Sequence, residues 1–121
     1  MLTETRIKAI KPVRYLKKYS DGGGLYLLVT PKGARCWRYR YRFAKRDKKL
    51  SLGTYPLTSL ASARVRHQFA RSLVARGIDP AALKSQSRGD FVAMMREWEM
   101  MPAHLSALPP SVVEAIRILG L

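Results

Sequence analysis

The residues best placed to do chemistry lie in the run Arg35-Cys36-Trp37-Arg38-Tyr39-Arg40-Tyr41-Arg42-Phe43. Aromatic and basic side chains alternate there with a period of two, the period of a β-strand and not of a helix. Trp37, Tyr39, Tyr41 and Phe43 are expected on one face, and Arg38, Arg40 and Arg42 on the other. Alternate residues of a strand stand about 6.6 Å apart, so these three guanidinium groups span about 13 Å. The major groove of duplex DNA is about 12 Å wide and admits a β-ribbon. A guanidinium can donate two parallel hydrogen bonds to a phosphate or to a guanine edge. Arg35 opens the run, and Lys45, Arg46, Lys48 and Lys49 extend the basic surface beyond it. Residues 32–49 hold nine bases and one acid, Asp47, so the row cannot be neutralised from within. A solvated strand with cations guarding an edge would also be basic, but this density of charge favours a polyanionic ligand. The ring row has two readings of its own: a core beneath a helix, or a platform on which the bases of a single strand stack.

Other reactive groups are sparse. His67 falls on the apolar stripe of a candidate helix, and His104 lies among Pro and Leu, so both read as packing residues. Cys36 has no neighbouring His to activate it, and a single cysteine rules out an intrachain disulfide or a cysteine-based zinc site. Eight acids leave no paired-carboxylate site. No catalytic residue, metal or cofactor is expected. Phe91, Met94, Met95, Trp98 and Met101 form an apolar ridge, either a small satellite core or a surface that docks another protein.

Charge sharpens the first impression. The chain of 121 residues has a formal net charge of +15, and its excess is uneven. Residues 1–88 hold 21 bases and 4 acids, whereas residues 89–121 hold 2 and 4. A small domain this positive repels itself unless a polyanion neutralises it. Nucleic acid is the leading partner and an anionic membrane surface a distant one, because the bases crowd on a strand and not on an amphipathic helix. No apolar stretch approaches the roughly 18 residues of a membrane span, and no signal segment opens the chain. Together with the lone cysteine, this suits a reducing cytoplasm.

The elements that must position the arginine row follow. Residues 2–10 read as a short helix, with Thr3 a candidate cap and Pro12 its end, and residues 13–20 read as basic and irregular. Ser20-Asp21-Gly22-Gly23-Gly24 is a turn into a strand at residues 25–30. Pro31-Lys32-Gly33-Ala34 turns the chain into the arginine strand, and a third short strand occupies residues 49–52. Ser59 can cap a long helix that Gly77 closes, with Leu60, Ala63, Ala70, Leu73 and Val74 on its buried stripe and Arg64 opposite. Residues 81–90 read as a linker. A helix capped by Asp90 and a last one opened by a Ser111–Glu114 capping box follow. The expected fold is α+β: a three-stranded antiparallel sheet packed on one long helix, with a short N-terminal helix and a helical C-terminal appendage.

Several strings taken together carry a resemblance: Ser20-Asp21-Gly22-Gly23-Gly24-Leu25-Tyr26-Leu27, Trp37-Arg38-Tyr39-Arg40-Tyr41-Arg42, Leu52-Gly53-Thr54-Tyr55-Pro56, Ser59-Leu60-Ala61-Ser62-Ala63-Arg64 and Gly77-Ile78-Asp79-Pro80. In this order the chain resembles, over residues 2–80, the N-terminal arm-type DNA-binding domain of phage and genomic-island integrases, which are tyrosine recombinases. The resemblance implies a sheet laid in the major groove at accessory arm sites, in the service of inserting or excising mobile DNA. It matches Arg38, Arg40 and Arg42 to the family's basic strand, and Lys48 and Lys49 to the entry of its third strand. Phe91 and Trp98 look like the opening of a core-binding region, after which the likeness fades. The recombinase catalytic residues find no place, since all six tyrosines precede residue 56. The expectation is sequence-selective duplex binding by residues 1–80, a linker at 81–90 and a helical segment at 91–121, without catalysis by this chain. Two alternatives stand beside it. One is a regulator that binds a partner, a full-length integrase or a second copy, through Phe91, Met94, Trp98 and Met101. The other is RNA or single-strand binding through the rings.

Overall fold

A computed structural model describes residues 1–101 and 108–120. The chain divides into two compact units, Met1–His67 and Gln68–Leu121, and the division falls within one helix.

The first unit holds α1 (Glu4–Ala9), β1 (Lys17–Gly22), β2 (Leu25–Val29), β3 (Arg35–Phe43), β4 (Arg46–Thr54) and the start of α2 (Leu60–Ala75). The four strands form an antiparallel sheet in sequence order. The expected three-stranded sheet is thus corrected to four strands, because residues 17–22 are not irregular. Lys17-Lys18-Tyr19-Ser20 offers little β-propensity, but a chain reversed by Gly22–Gly24 lies along β2, and pairing satisfies its backbone. Tyr19 lies opposite Leu27 and Ser20 opposite Tyr26. Lysines on such an edge strand also discourage pairing with another chain. At Gly24, φ is +90°, and an added Cβ would stand 2.2 Å from the Arg40 carbonyl oxygen. The Gly24 carbonyl in turn accepts the Arg40 amide at 2.8 Å. This turn therefore requires glycine for both its φ and its space.

Directly opposed residues share a face of a sheet, so the ladder sorts the side chains. Leu25, Leu27 and Val29 lie with Trp37 and Tyr39, while Tyr26 and Leu28 lie with Arg38 and Cys36. The ring face is core: Leu27 and Trp37 are 0% exposed. The Trp37 indole N–H donates to the Thr58 carbonyl at 2.8 Å, which removes the penalty for burying it. Tyr39 and Tyr41 stack with centroids 5.0 Å apart.

The first turns of α2 are tied to this unit. Ser59 caps the helix by accepting the Ser62 amide. Arg64, expected on the solvent face, instead grips Asp21 at 2.9 Å through Nε and NH2, and also donates to the Leu2 carbonyl. His67 lies 2.8 Å from the Gly23 carbonyl and edge-on to Tyr39, in line with the packing role expected of it. α1 is held from both ends. The Leu2 amide donates to Asp21, and the Arg35 side chain donates to the Ile10 carbonyl.

The second unit holds the rest of α2, α3 (Pro80–Met100) and α4 (Pro110–Leu119). α2 ends in a Schellman motif: Gly77 has φ +76°, its amide donates to Val74, and that of Ile78 to Leu73. Residues 81–90 are helix rather than linker, and Asp90 lies inside α3 instead of capping it. Asp79 accepts the Ala81 amide, and Pro80 occupies the first turn, where its missing N–H costs nothing. Ala81, Ala82, Leu83 and Lys84 then favour helix strongly enough to carry it past Ser85, Ser87 and Gly89. Phe91 and Met94 are buried and Trp98 half-buried, with Phe69 5.9 Å from Phe91 and 5.5 Å from Trp98. Phe91, Met94 and Met95 of the apolar ridge are therefore core of this unit, while Trp98 and Met101 keep partial exposure. α4 starts at Pro110 without a side-chain cap. Ser111 bonds the Glu97 carboxylate, while Glu114 takes Arg117 in a two-pronged ion pair, so the expected capping box does not form. His104 lies outside the described residues.

Candidate nucleic-acid interface

The sheet face opposite the rings is built by alternation and ladder register. Arg40 and Arg42 are exposed and Arg38 is half-buried. Lys49 lies opposite Arg40, Ser51 opposite Arg38 and Asp47 opposite Arg42, so all six belong to this face. The strands carry two acids. Asp21 is buried in its ion pair with Arg64, which leaves Asp47 as the carboxylate beside the row.

The eight expected binding residues do not stay together. Arg38, Arg40, Arg42 and Lys49 form one surface. Ala44 and Lys45, with φ of 49° and 66°, make the two-residue turn between β3 and β4. This turn sets Phe43 opposite Arg46 and Tyr41 opposite Lys48, so Arg46 and Lys48 take the ring side. The Lys48 ammonium stands 5.9 Å from the Phe43 ring centroid. Arg35 also takes the ring side, with its guanidinium 5.9 Å from the Tyr55 ring and bound to Ile10. It serves the docking of α1.

Three residues of this face escaped sequence reasoning: Lys18, Ser20 and Tyr26. The register places Ser20 and Tyr26 in line with Arg38, and Lys18 in line with Leu28 and Cys36. The signal was present in the triple glycine, since a tight reversal into a strand calls for a strand on its other side. The Lys18 ammonium covers the Tyr26 ring at 5.4 Å. Leu28 and Tyr26 are both 7% exposed, so basic side chains shade an apolar floor.

Electrostatics reinforce the division of labour. The Arg64 hydrogen bond holds the Asp21 carboxyl below its ordinary range, aided by the Leu2 amide and opposed by burial, and Asp21 in turn raises Arg64. The one strand acid that could counter the row from below is thus spent on α2. Rings buried on the far face provide no stacking platform for a single strand. Among the described residues, no His, Cys, Asp and Glu cluster could hold a metal, and no helix is long and apolar enough to cross a membrane.

Comparison with known proteins points the same way. The integrase of Enterobacteria phage P4 is 36% identical over 105 residues, covering 80% of this chain and 24% of that protein. The integrase of Shigella phage Sf6 and the prophage integrase IntS of Escherichia coli K12 are each 39% identical over 100 residues, covering 81% of this chain and 26% of theirs. The chain spans about a quarter of the length of these relatives. The family described as arm DNA-binding domain matches residues 2–87, which take in the whole sheet and the arginine row, and the chain belongs to this family.

Proposed function

We propose that this chain binds duplex DNA sequence-selectively, with the face of Arg38, Arg40, Arg42 and Lys49 entering the major groove at arm-type sites, and so serves the integration or excision of a mobile element. The observation that carries the reading is the exposed guanidinium pair Arg40 and Arg42, held at strand spacing on a face whose reverse side is packed core. Arm DNA-binding family membership supports DNA as the ligand. Phosphate contacts supply affinity, and base-edge contacts supply selectivity. In this reading Lys45, exposed at the hairpin tip, adds a phosphate contact.

Selection from random duplexes followed by footprinting tests the reading, and an enriched motif protected on its major-groove side is the expected result. If about five phosphates are neutralised, the logarithm of the binding constant falls against that of salt concentration with a slope near −4.5. A slope near zero, or no preference among duplexes, refutes the reading.

A further inference from the structure

We propose that a cavity beside the arginine row, lined by Lys18, Ser20, Tyr26 and Arg40, clamps one phosphodiester of the bound duplex and so fixes the register of the sheet along the groove. The cavity holds about 230 Å³, with Gly24 and Leu25 completing its wall. This is several times the roughly 30 Å³ share of one water, so a phosphate oxygen fits. Its polar lining is donors and cations, with no carboxylate among its residues. The decisive feature is Tyr26. It is 7% exposed, and its hydroxyl is buried without a hydrogen-bond partner. Folded proteins leave few such groups unsatisfied, and a site awaiting a ligand is one reason to leave one. A tyrosine hydroxyl donates to phosphate oxygen, as does a serine hydroxyl, and Lys18 and Arg40 supply the positive field. Ser20 Oγ accepts the Gly22 amide at 3.3 Å, which leaves its O–H able to donate. The cavity floor is fixed because Gly24 and Arg40 are joined by the 2.8 Å backbone bond, and no side chain fits at Gly24. Phosphates position a protein on DNA, whereas base edges specify the site. The cavity adds positioning beside the row that reads.

The clamp rests on the duplex-binding reading, and its test separates the two. Anisotropy titrations would compare the wild-type chain with Tyr26→Phe and Lys18→Gln, using the selected duplex and a series in which single phosphates are replaced by neutral methylphosphonates. Tyr26→Phe keeps the ring and its contact with Lys18. Its melting temperature is expected to hold or rise, since a buried orphan hydroxyl is removed. In the wild type, one methylphosphonate position weakens binding about tenfold. Tyr26→Phe weakens the unmodified duplex by a similar factor and loses most of the sensitivity at that position alone. Lys18→Gln lowers the salt slope by about 0.9. Wild-type affinity and an unchanged methylphosphonate profile in Tyr26→Phe overturn the clamp while leaving duplex binding intact. So does a loss spread evenly over all phosphates, which would assign Tyr26 to the fold. Failure of the wild-type chain to bind any duplex overturns both readings.

Discussion

The two faces of the sheet are made from the same strands and do opposite things. On one, Trp37, Tyr39 and Tyr41 are buried among Leu25, Leu27, Leu50 and Leu52. On the other, Arg40, Arg42 and Lys49 meet solvent. A single alternating sequence serves both because successive strand residues point apart. The arrangement places packed rings and exposed cations at neighbouring positions. A guanidinium row is hard to hold in place on a flexible loop, and here Arg38 and Arg40 each stand between two buried rings, and Arg42 between buried Tyr41 and half-buried Phe43. The spacing of the charged row thus follows from the packing beneath it.

The comparison breaks most visibly at Trp37. Trp37→Ala is expected to cost about 3–5 kcal/mol, since the side chain is fully buried and its indole donates to Thr58. Chemical denaturation measures the loss directly. An unchanged midpoint would mean that the faces are assigned backwards.

Next in size is the Asp21–Arg64 pair. Asp21→Asn is expected to cost about 2 kcal/mol, less than a fully buried pair, because the Arg64 side chain is 38% exposed. The folded-state pKa of Asp21 is lowered, chiefly by the Arg64 hydrogen bond. Its stabilisation is therefore present above the ordinary carboxylate range and is lost as pH falls through the folded value. The gap between wild type and Asp21→Asn should stay constant near neutral pH and close below about pH 4. A gap that persists in acid would place the stabilisation elsewhere.

These contacts also show what was legible beforehand. The alternation of residues 35–43 needed only local periodicity, so strand and faces could be read directly. The caps Thr3 and Ser59 and the Gly77 terminus were legible for the same reason, because their hydrogen bonds reach only a few residues. Arg64 was misplaced because its partner lies 43 residues away and turns a solvent-side residue into an anchor. β1 was missed because Lys17, Lys18 and Ser20 become strand through pairing with β2 and not through propensity. Arg46 and Lys48 were grouped with the arginines because charge counts ignore facing. A two-residue turn fixes that register, and a shift by one would have exchanged Lys48 for Lys49.

On the arginine face the expected effect is one of binding. Arg40→Ala should leave the denaturation midpoint nearly unchanged and cost roughly 1–3 kcal/mol on the preferred duplex if the side chain reads a base. Competition with random DNA sharpens the result. An equal loss on both would make Arg40 a phosphate contact and move selectivity to Arg38, Arg42 or Lys49.

The smallest effect tests the turn that allots residues to the two faces. Ala44 and Lys45 both adopt positive φ, a conformation that costs residues bearing a Cβ on the order of 1 kcal/mol each. Asn-Gly is the pair that a two-residue hairpin turn of this hand prefers. Replacing Ala44 by Asn and Lys45 by Gly should therefore stabilise the chain by about 1 kcal/mol while holding Phe43 opposite Arg46. The same change removes one cation from the hairpin tip. If Lys45 touches the DNA backbone, the stabilised variant binds more weakly with a salt slope lower by about 0.9, and if it does not, affinity is retained. Either outcome leaves the facing of Arg40 and Arg42 intact. A loss of stability would instead show that Ala44 and Lys45 are not strained, and that the register of β4 is set by its contacts along the sheet rather than by its turn.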